Sequence, residues 1–255
     1  MADITLADVC VVACAEVWRG DGEVLASPIG TVPTIGARLA KATFEPDLLI
    51  TDGEALLVAN PLPVGAGPAG PEGHEQRAHE KVVEGWMPYR FVFDVVWSGR
   101  RHVMMGATQI DRHGNQNIAC IGDWARPKAQ LLGVRGAPGN TVNHPTSYWV
   151  PNHSTRAFVE QVDFVSGVGY PSPTKFHEIR RVVSSKGVFD FDTPDQTMRV
   201  RSVHPGVSID DVLESTGFPL SVADDVDESR LPTDEELRLI REVFDPGNLR
   251  GSEVR

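Results

Sequence analysis

One stretch near the N-terminus constrains the fold of this chain more than any other feature. Residues 23–29 are predicted to form a strand, Thr34 to cap a helix that runs to about Thr43, and residues 47–51 to form a second strand. Strand, helix and strand in this order form a βαβ unit, which joins parallel strands and places the helix on one face of the sheet. The sequence therefore predicts an α/β fold with an open, mainly parallel sheet flanked by helices.

The composition indicates one globular domain over residues 1–255, because 41% of the residues are hydrophobic and 23% are charged. The net charge of −11 argues against nucleic acid or an anionic membrane as a partner. Acidic residues interrupt the apolar run at the N-terminus, so no signal peptide is predicted, and no run of about 20 apolar residues could span a membrane. These observations predict a soluble, cytoplasmic protein.

The sequence contains no convincing metal site. Cys10, Cys14 and Cys120 lack the spacing of metal ligands. The first two lie one turn apart on a predicted amphipathic helix, where packing in the core is their expected role. His74 and His79 are five residues apart. On a helix this places them about 140° apart, so both cannot bind one metal ion from the same face. We therefore expect no bound metal.

Further along the chain, alternating apolar residues and turn signals predict several more elements. His144 and His153 are predicted to be surface histidines, and Trp86 a packing residue. Residues 60–73, rich in Pro and Gly, are predicted to form a long surface loop, a candidate lid over the site. The remaining expectations are strands at 91–96, 148–150, 162–165, 187–191 and 198–203, helices capped by Ser208 and Thr233, and an irregular connection at 222–232.

Two glycine-rich turns frame the central part of the chain, residues 106–140. Gly106 and Ala107 open it after an apolar run, and the loop 133–140 closes it. Glycine lets the backbone approach a ligand closely and present its N–H groups to an anion. Taken alone, the pattern has a simpler interpretation, which is two loops that join the strands of a sheet.

The central part carries a longer motif. The run GATQID, R, H and GNQN, followed by IGDW, PK and the loop GVRGAPGN, resembles the β subunits of class I coenzyme A (CoA) transferases, in particular the glutaconate branch. The resemblance extends from Pro33 to about Gly247. It implies an open α/β sheet, a glycine loop that lies over the CoA thioester, and an active site between two unlike subunits. An α-type partner is therefore expected, in an α2β2 assembly. CoA is then part of the substrate, and no separate cofactor is expected.

The family resemblance also identifies a substitution. In that family the strand that ends near Thr51 carries a nucleophilic glutamate. One alignment places Thr51 at that position and the other places Gly53 there, while Glu54 is out of register, because successive strand side chains point to opposite faces. Ligands of open α/β sheets bind beyond the carboxyl ends of the strands. Residues Thr51, Asp52, Gly53 and Glu54 are therefore expected to line the substrate site.

Three functions are compatible with this sequence. In the first, water replaces the lost glutamate and a cyclic β-keto acyl-CoA is opened by cleavage of a C–C bond. The chain resembles the actinobacterial hydrolases that open the last steroid ring, a branch of the superfamily that also lacks the nucleophile. The second function is CoA transfer between dicarboxylic acids, using Glu54. The third is a non-catalytic subunit that supports an active partner. The missing glutamate favours the hydrolase.

The hydrolase hypothesis assigns roles to three residues of the central part. The backbone N–H groups of Gly136 and Ala137 are candidates for binding an oxyanion, and Gln109 for holding a carbonyl or carboxylate by hydrogen bonding. Gln109 has a structural alternative, which is to fix its own turn. The chain offers no convincing base, so by analogy with the ring-opening hydrolases we expect a carboxylate of the α-type partner to activate the water.

Overall fold

The computed structural model describes residues 3–51, 56–60, 63–64, 82–88, 90–171 and 174–254. Asp52, Gly53 and Glu54, the histidines at 74 and 79, and most of the predicted loop at 60–73 lie outside these ranges. Predictions about them therefore stay predictions.

The strands and helices follow the chain in this order. The strands are β1 (Leu25–Pro28), β2 (Leu56–Val58), β3 (Val83–Trp86), β4 (Arg101–Gly106), β5 (Gln109–Ile110), β6 (Gln116–Asn117), β7 (Cys120–Ile121), β8 (Ala129–Gln130), β9 (Pro145–Val150), β10 (Glu178–Ser184), β11 (Gly187–Asp190), β12 (Arg199–Val203) and β13 (Ser221–Glu228). The helices are α1 (Leu6–Glu16), α2 (Thr31–Thr43), α3 (Phe91–Ser98), α4 (Ala137–Asn143), α5 (Ile209–Glu214), α6 (Asp234–Arg238), which continues as a π-helix (Leu239–Phe244), and α7 (Arg250–Glu253).

The main sheet has seven strands in the order β1-β4-β9-β10-β11-β12-β13. Strands β1, β4, β9 and β10 pair in parallel, as do β12 and β13. Strand β11 is antiparallel to both of its neighbours. The predicted open, mainly parallel α/β sheet is therefore confirmed. Several neighbouring strands, such as β1 and β4, are not consecutive in the chain, so long connections join them. The helices and loops of these connections cover both faces of the sheet.

The βαβ unit near the N-terminus is present. Leu49 lies parallel to Leu25: its N–H donates to the carbonyl of Val24 at 2.9 Å, and its own carbonyl accepts the N–H of Ala26 at 3.0 Å. The helix between them begins at Thr31 with Gly30 as its N-cap, so the prediction that Thr34 is the cap was wrong. The Thr34 hydroxyl donates instead to the carbonyl of Gly30. This places the N-terminus of α2 directly after β1.

Two hydrophobic clusters fill the space on either side of the sheet. One lies between the sheet and helices α1 and α2, and it contains Cys10 and Cys14, which are fully buried as predicted. The other lies on the opposite face around Tyr148, Phe158 and Phe189. Because both faces are covered, the central strands are buried along nearly their whole length, which leaves the two ends of the strands as places where a ligand can enter.

Several local predictions were wrong. Residues 91–96 belong to helix α3, and a short apolar run does not distinguish a buried strand from a helix. The acidic stretch after 221 forms the edge strand β13, in which Asp225, Asp227 and Glu228 are exposed. Residues 162–165 form no strand. Trp86 is 71% exposed, whereas His144 and His153 are buried. Among the described residues, no helix is long and apolar enough to cross a membrane.

Candidate active site

Parallel strands bring their carboxyl ends together at one edge of the sheet, and two adjoining clefts open there. The first has a volume of about 770 Å³ and is called the glycine-loop cleft. The residues that follow β1 (Ile29 and Gly30) and β4 (Ala107) line it, and the loop 130–137 forms its far wall. Its lining is mainly apolar. A cleft of this size and character suits a thioester with part of an acyl group.

The glycine loop is fixed at one end by a close approach of two backbones. The Gly133 N–H donates to the carbonyl oxygen of Ile118 at 2.6 Å, and a Cβ at Gly133 would lie 2.5 Å from the same oxygen. No side chain fits at this position. Gly136 differs, because its φ is −83° and a Cβ there would meet only the side chain of Asn140, at 3.4 Å. Gly133 is therefore required by packing, and Gly136 is not.

The two candidate oxyanion donors are in different situations. The Ala137 N–H donates to the carbonyl of Val134 at 3.2 Å, so it is already used within the loop. The Gly136 N–H has no acceptor in the part of the chain that the structure describes. Both residues line the glycine-loop cleft. Of the pair, Gly136 is the one with a hydrogen-bond donor available for a ligand, and the role of each stays a prediction.

Gln109 lies beside the second cleft, which has a volume of about 540 Å³ and is called the Arg156 cleft. Its amide is largely engaged within the protein. The amide nitrogen donates to Asp163 at 3.0 Å, and the amide oxygen accepts from Asn117 at 2.7 Å and from the Asp163 N–H at 3.0 Å. This network favours the structural alternative, in which Gln109 fixes the chain around its own turn. Its role in holding a ligand stays a prediction.

Thr51 lies where the sequence placed it, after the short extended segment that pairs with β1. It forms an isolated antiparallel bridge with Leu57 of strand β2. It is partly exposed. Asp52, Gly53 and Glu54 come next in the chain and lie outside the described residues. The absence of a glutamate at the position of the family nucleophile therefore rests on the sequence alone. The register of Glu54 on this strand stays a prediction.

A carboxylate that the sequence analysis missed lines the glycine-loop cleft. Glu253 is on the C-terminal helix α7, and its Oε2 accepts the N–H of Val32 at 2.8 Å, at the N-terminus of α2. Helix α7 is held by Arg250, which is buried and forms ion pairs of 2.8 Å with both Asp8 and Asp245. No local motif indicates this arrangement, because Asp8 and Arg250 are 242 residues apart in sequence.

The opposite, amino edge of the sheet contains an array that resembles a catalytic triad. His102 Nδ1–H donates to Asp21 at 2.7 Å, and the Oγ–H of Ser147 donates to His102 Nε2 at 2.9 Å. Arg180 forms an ion pair with the same aspartate. Burial lowers the pKa of His102, although Asp21 opposes this shift. His102 and Ser147 are almost completely buried, so substrate cannot reach the hydroxyl and the array is structural.

The sequence comparisons agree with this geometry. The family model described as coenzyme A transferase matches residues 15–215, and the chain belongs to this family. The chain is 55% identical over its whole length to the IpdB subunit of the cholesterol ring-cleaving hydrolase of Rhodococcus jostii (strain RHA1), of which the match covers 98%. It is 52% identical to the corresponding subunit of Mycobacterium tuberculosis (strain H37Rv), over 98% of this chain and 99% of the relative.

The structural comparison leads to the same family. The crystal structure of Rhodococcus jostii RHA1 IpdAB contains a chain that superimposes with a TM-score of 0.89 and 55% identity, and the match covers 100% of both chains. The mainly parallel sheet and its flanking helices are therefore those of a family member with a solved structure.

Proposed function

We propose that this chain is the β-type subunit of a heteromeric hydrolase that opens a cyclic β-keto acyl-CoA in the breakdown of steroid rings. The observation that carries the proposal is the 55% identity, over the whole chain, to a subunit named for cholesterol ring cleavage. The geometry is compatible with it, because a mainly apolar cleft lies beyond the carboxyl ends of β1 and β4, where this fold class binds its ligands.

The reaction consists of an addition and a cleavage. Water adds to the ring ketone that lies β to the thioester, a base takes a proton of the water, and the ketone oxygen becomes an oxyanion. When the oxyanion collapses, the C–C bond breaks and a carboxylic acid forms. The electron pair moves into the thioester as an enolate, which takes a proton at its α-carbon. These steps require a base and hydrogen-bond donors close to each developing negative charge.

This chain contributes the wall of the site and one donor. The Gly136 N–H faces no protein acceptor among the described residues and lies at the glycine-loop cleft, so it is available to an oxyanion. Met105, Ile118 and Trp149 line the same cleft and reduce the access of bulk water, which strengthens hydrogen bonds to charge. The base that activates the attacking water is a carboxylate of the α-type partner.

An α-type subunit completes the enzyme. The similar Rhodococcus jostii structure is of IpdAB, and the curated relatives are named as subunits, which supports a heteromer. An α2β2 assembly in the cytoplasm, with CoA as part of the substrate and no further cofactor, belongs to the same proposal.

The test is to co-express the chain with an α-type subunit and to assay the purified heteromer with cyclic β-keto acyl-CoA esters. Mass spectrometry should detect a ring-opened product that is heavier by one water and that carries ¹⁸O from H₂¹⁸O. Either subunit alone should be inactive. Full turnover by this chain alone, or a heteromer that opens no ring, would contradict the proposal.

The same preparation distinguishes CoA transfer. A transferase forms a thioester between a glutamate and CoA, which borohydride or hydroxylamine traps on the protein. We expect no adduct on this chain, and we expect Glu54→Ala to retain most of the activity. A CoA adduct on Glu54 would exclude the hydrolase mechanism.

A further inference from the structure

The lining of the Arg156 cleft has an unusual charge for this protein. The chain as a whole carries a net charge of −11. The residues that line this cleft nevertheless include Arg156 and no aspartate or glutamate. Because a guanidinium lies in this cleft and no carboxylate lines it, the cleft attracts anions although the protein as a whole is acidic.

Four side chains in this cleft have hydrogen-bond donors that are free. They belong to Thr108, Asn152, Ser154 and Arg156. None of the four side chains hydrogen-bonds or forms an ion pair within residues 3–51, 56–60, 63–64, 82–88, 90–171 and 174–254. Gln109, in the same lining, is by contrast engaged on both sides of its amide. Two hydroxyls, an amide and a guanidinium match the acceptor oxygens of a carboxylate.

The other walls of the cleft are aliphatic. Ile121, Val150 and Val159 lie in its lining, together with Pro151 and Ala157. The lining contains no aromatic ring and no second cation. These features select an aliphatic group that ends in a carboxylate, and they distinguish the ligand from a nucleotide or a polyphosphate, which requires more positive charge.

The two clefts adjoin, since Ala107, Thr108 and Pro151 line both. One molecule can therefore have its thioester at the glycine loop and its other end beside Arg156. Hydrolytic opening of a ring ketone necessarily creates a carboxylate on the former ketone carbon, at the end of the opened chain that is remote from the thioester.

We propose that the Arg156 cleft binds this newly formed carboxylate, with Arg156 as its counter-ion and Thr108, Asn152 and Ser154 as hydrogen-bond donors. The inference rests on the proposed function for the origin of the carboxylate. Arg156 is exposed at the mouth of the cleft, so water competes for the ion pair and the product leaves readily. The cleft is thus a product subsite for the carboxylate end of the opened chain.

The experiment measures binding of adipate, an aliphatic dicarboxylate, to the assembled heteromer by isothermal titration calorimetry. Arg156→Gln should weaken binding about 2- to 5-fold, the range of one ion pair that is exposed to solvent. Arg156→Lys should weaken it less, because the charge remains and only the two-pronged geometry is lost. Arg100→Gln, the same charge change at the opposite edge of the sheet, is the matched control and should leave binding unchanged. Adipamide, the uncharged analogue, should not bind.

A second variant covers the case in which Arg156→Gln fails to assemble. The double substitution Thr108→Ala and Ser154→Ala removes two donors without changing the charge, and it should weaken adipate binding several-fold. Equal binding by the wild-type heteromer and by every variant would overturn the subsite, as would an equal loss in Arg100→Gln.

The outcome can be separated from that of the proposed function. If the heteromer opens rings but adipate binding does not depend on Arg156, the subsite is wrong and the hydrolase stands. If the heteromer opens no ring but adipate binding depends on Arg156, the hydrolase is wrong and the carboxylate site stands.

Discussion

The two edges of the sheet present opposite kinds of polar chemistry. At the amino edge, Asp21, His102 and Ser147 form a paired array with the geometry of a catalytic triad, and solvent does not reach its histidine and serine. At the carboxyl edge no such array is present among the described residues. Some polar groups there, such as Gln109 and Glu253, are paired within the protein, but the Gly136 N–H and the side chains of Thr108 and Arg156 have no protein partner in the same part of the chain.

The comparison teaches that unused hydrogen-bonding capacity identifies a site better than catalytic-looking geometry. A buried polar group that is fully paired contributes to stability and specificity of folding. A donor that is open to a cleft and lacks a partner is available to a ligand. Substitutions at the amino edge should therefore affect folding, and substitutions at the carboxyl edge should affect turnover or binding.

The largest expected effect is at the amino edge. Asp21→Ala removes the acceptor of the buried His102 ring and one of the two carboxylates paired with Arg180, whose ion pair with Glu178 remains, and it should lower the free energy of unfolding by about 3 kcal/mol. Urea denaturation of the isolated chain measures this loss. Ser147→Ala is the companion variant, and its heteromer should turn over at close to the wild-type rate. A loss of turnover of about 10³-fold or more in a folded Ser147→Ala heteromer would identify the array as catalytic.

The next effect concerns the glycine loop. Gly136→Val should fold normally, because φ is −83° and the nearest contact of a new Cβ is 3.4 Å. If the Gly136 N–H binds the oxyanion, crowding by the new side chain should lower kcat by about 10²–10³-fold. Gly139→Val is the control, since a Cβ at Gly139 meets nothing within 4 Å. Wild-type kcat in a correctly assembled Gly136→Val heteromer would mean that the loop is only a connection.

The third effect is a dependence of stability on pH. Burial lowers the pKa of His153 to about 3, from an ordinary value of 6.5, so the folded chain holds this ring neutral while the unfolded chain protonates it. Its contribution is fully present above pH 6.5 and is lost as the pH falls toward 3, at about 1.4 kcal/mol per pH unit. In His153→Gln the slope of unfolding free energy against pH should decrease by this amount. If the slope between pH 6 and 4 were the same in His153→Gln and in the wild type, protonation of His153 would not be a cause of the loss of stability.

The smallest expected effect concerns Glu253, which lies at the carboxyl edge but is expected to have a structural role and no catalytic one. Glu253→Ala removes the carboxylate that accepts the Val32 N–H at the start of α2, and it should cost about 1 kcal/mol, as for other helix caps. The exposed Glu242→Ala is the control and should cost less than about 0.5 kcal/mol. Thermal unfolding of both variants measures the difference. Equal stability of the two variants would show that the contact contributes nothing.

Much of the fold could be predicted because the deciding interactions are local. Strand, helix and strand at residues 23–51 specified parallel pairing, and the structure has it. Ser208 and Thr233 cap their helices as predicted, since a capping box needs only residues three positions apart. Cys10 and Cys14 are buried because the pattern of apolar residues around a helix is also local.

Other features depended on partners that are remote in sequence. Residues 91–96 form a helix and the acidic segment after 221 forms a strand, because packing and pairing with β12 overrode weak local preferences. Gln109 and Ala137 line the two clefts, but no local pattern indicates that Asp163 and Val134 already accept their hydrogen bonds.

The sequence by itself determined the family, the parallel sheet and the edge of that sheet at which a ligand is expected to bind. Only the tertiary structure decided which groups at that edge are free. Glu253 enters the cleft because Arg250 joins Asp8 to Asp245, and Arg156 stays unpaired because the fold brings no acid of the described chain beside it. The physical reason is that secondary structure follows from neighbours a few residues apart, whereas burial and hydrogen-bond partners are set by segments that meet only after the chain has folded.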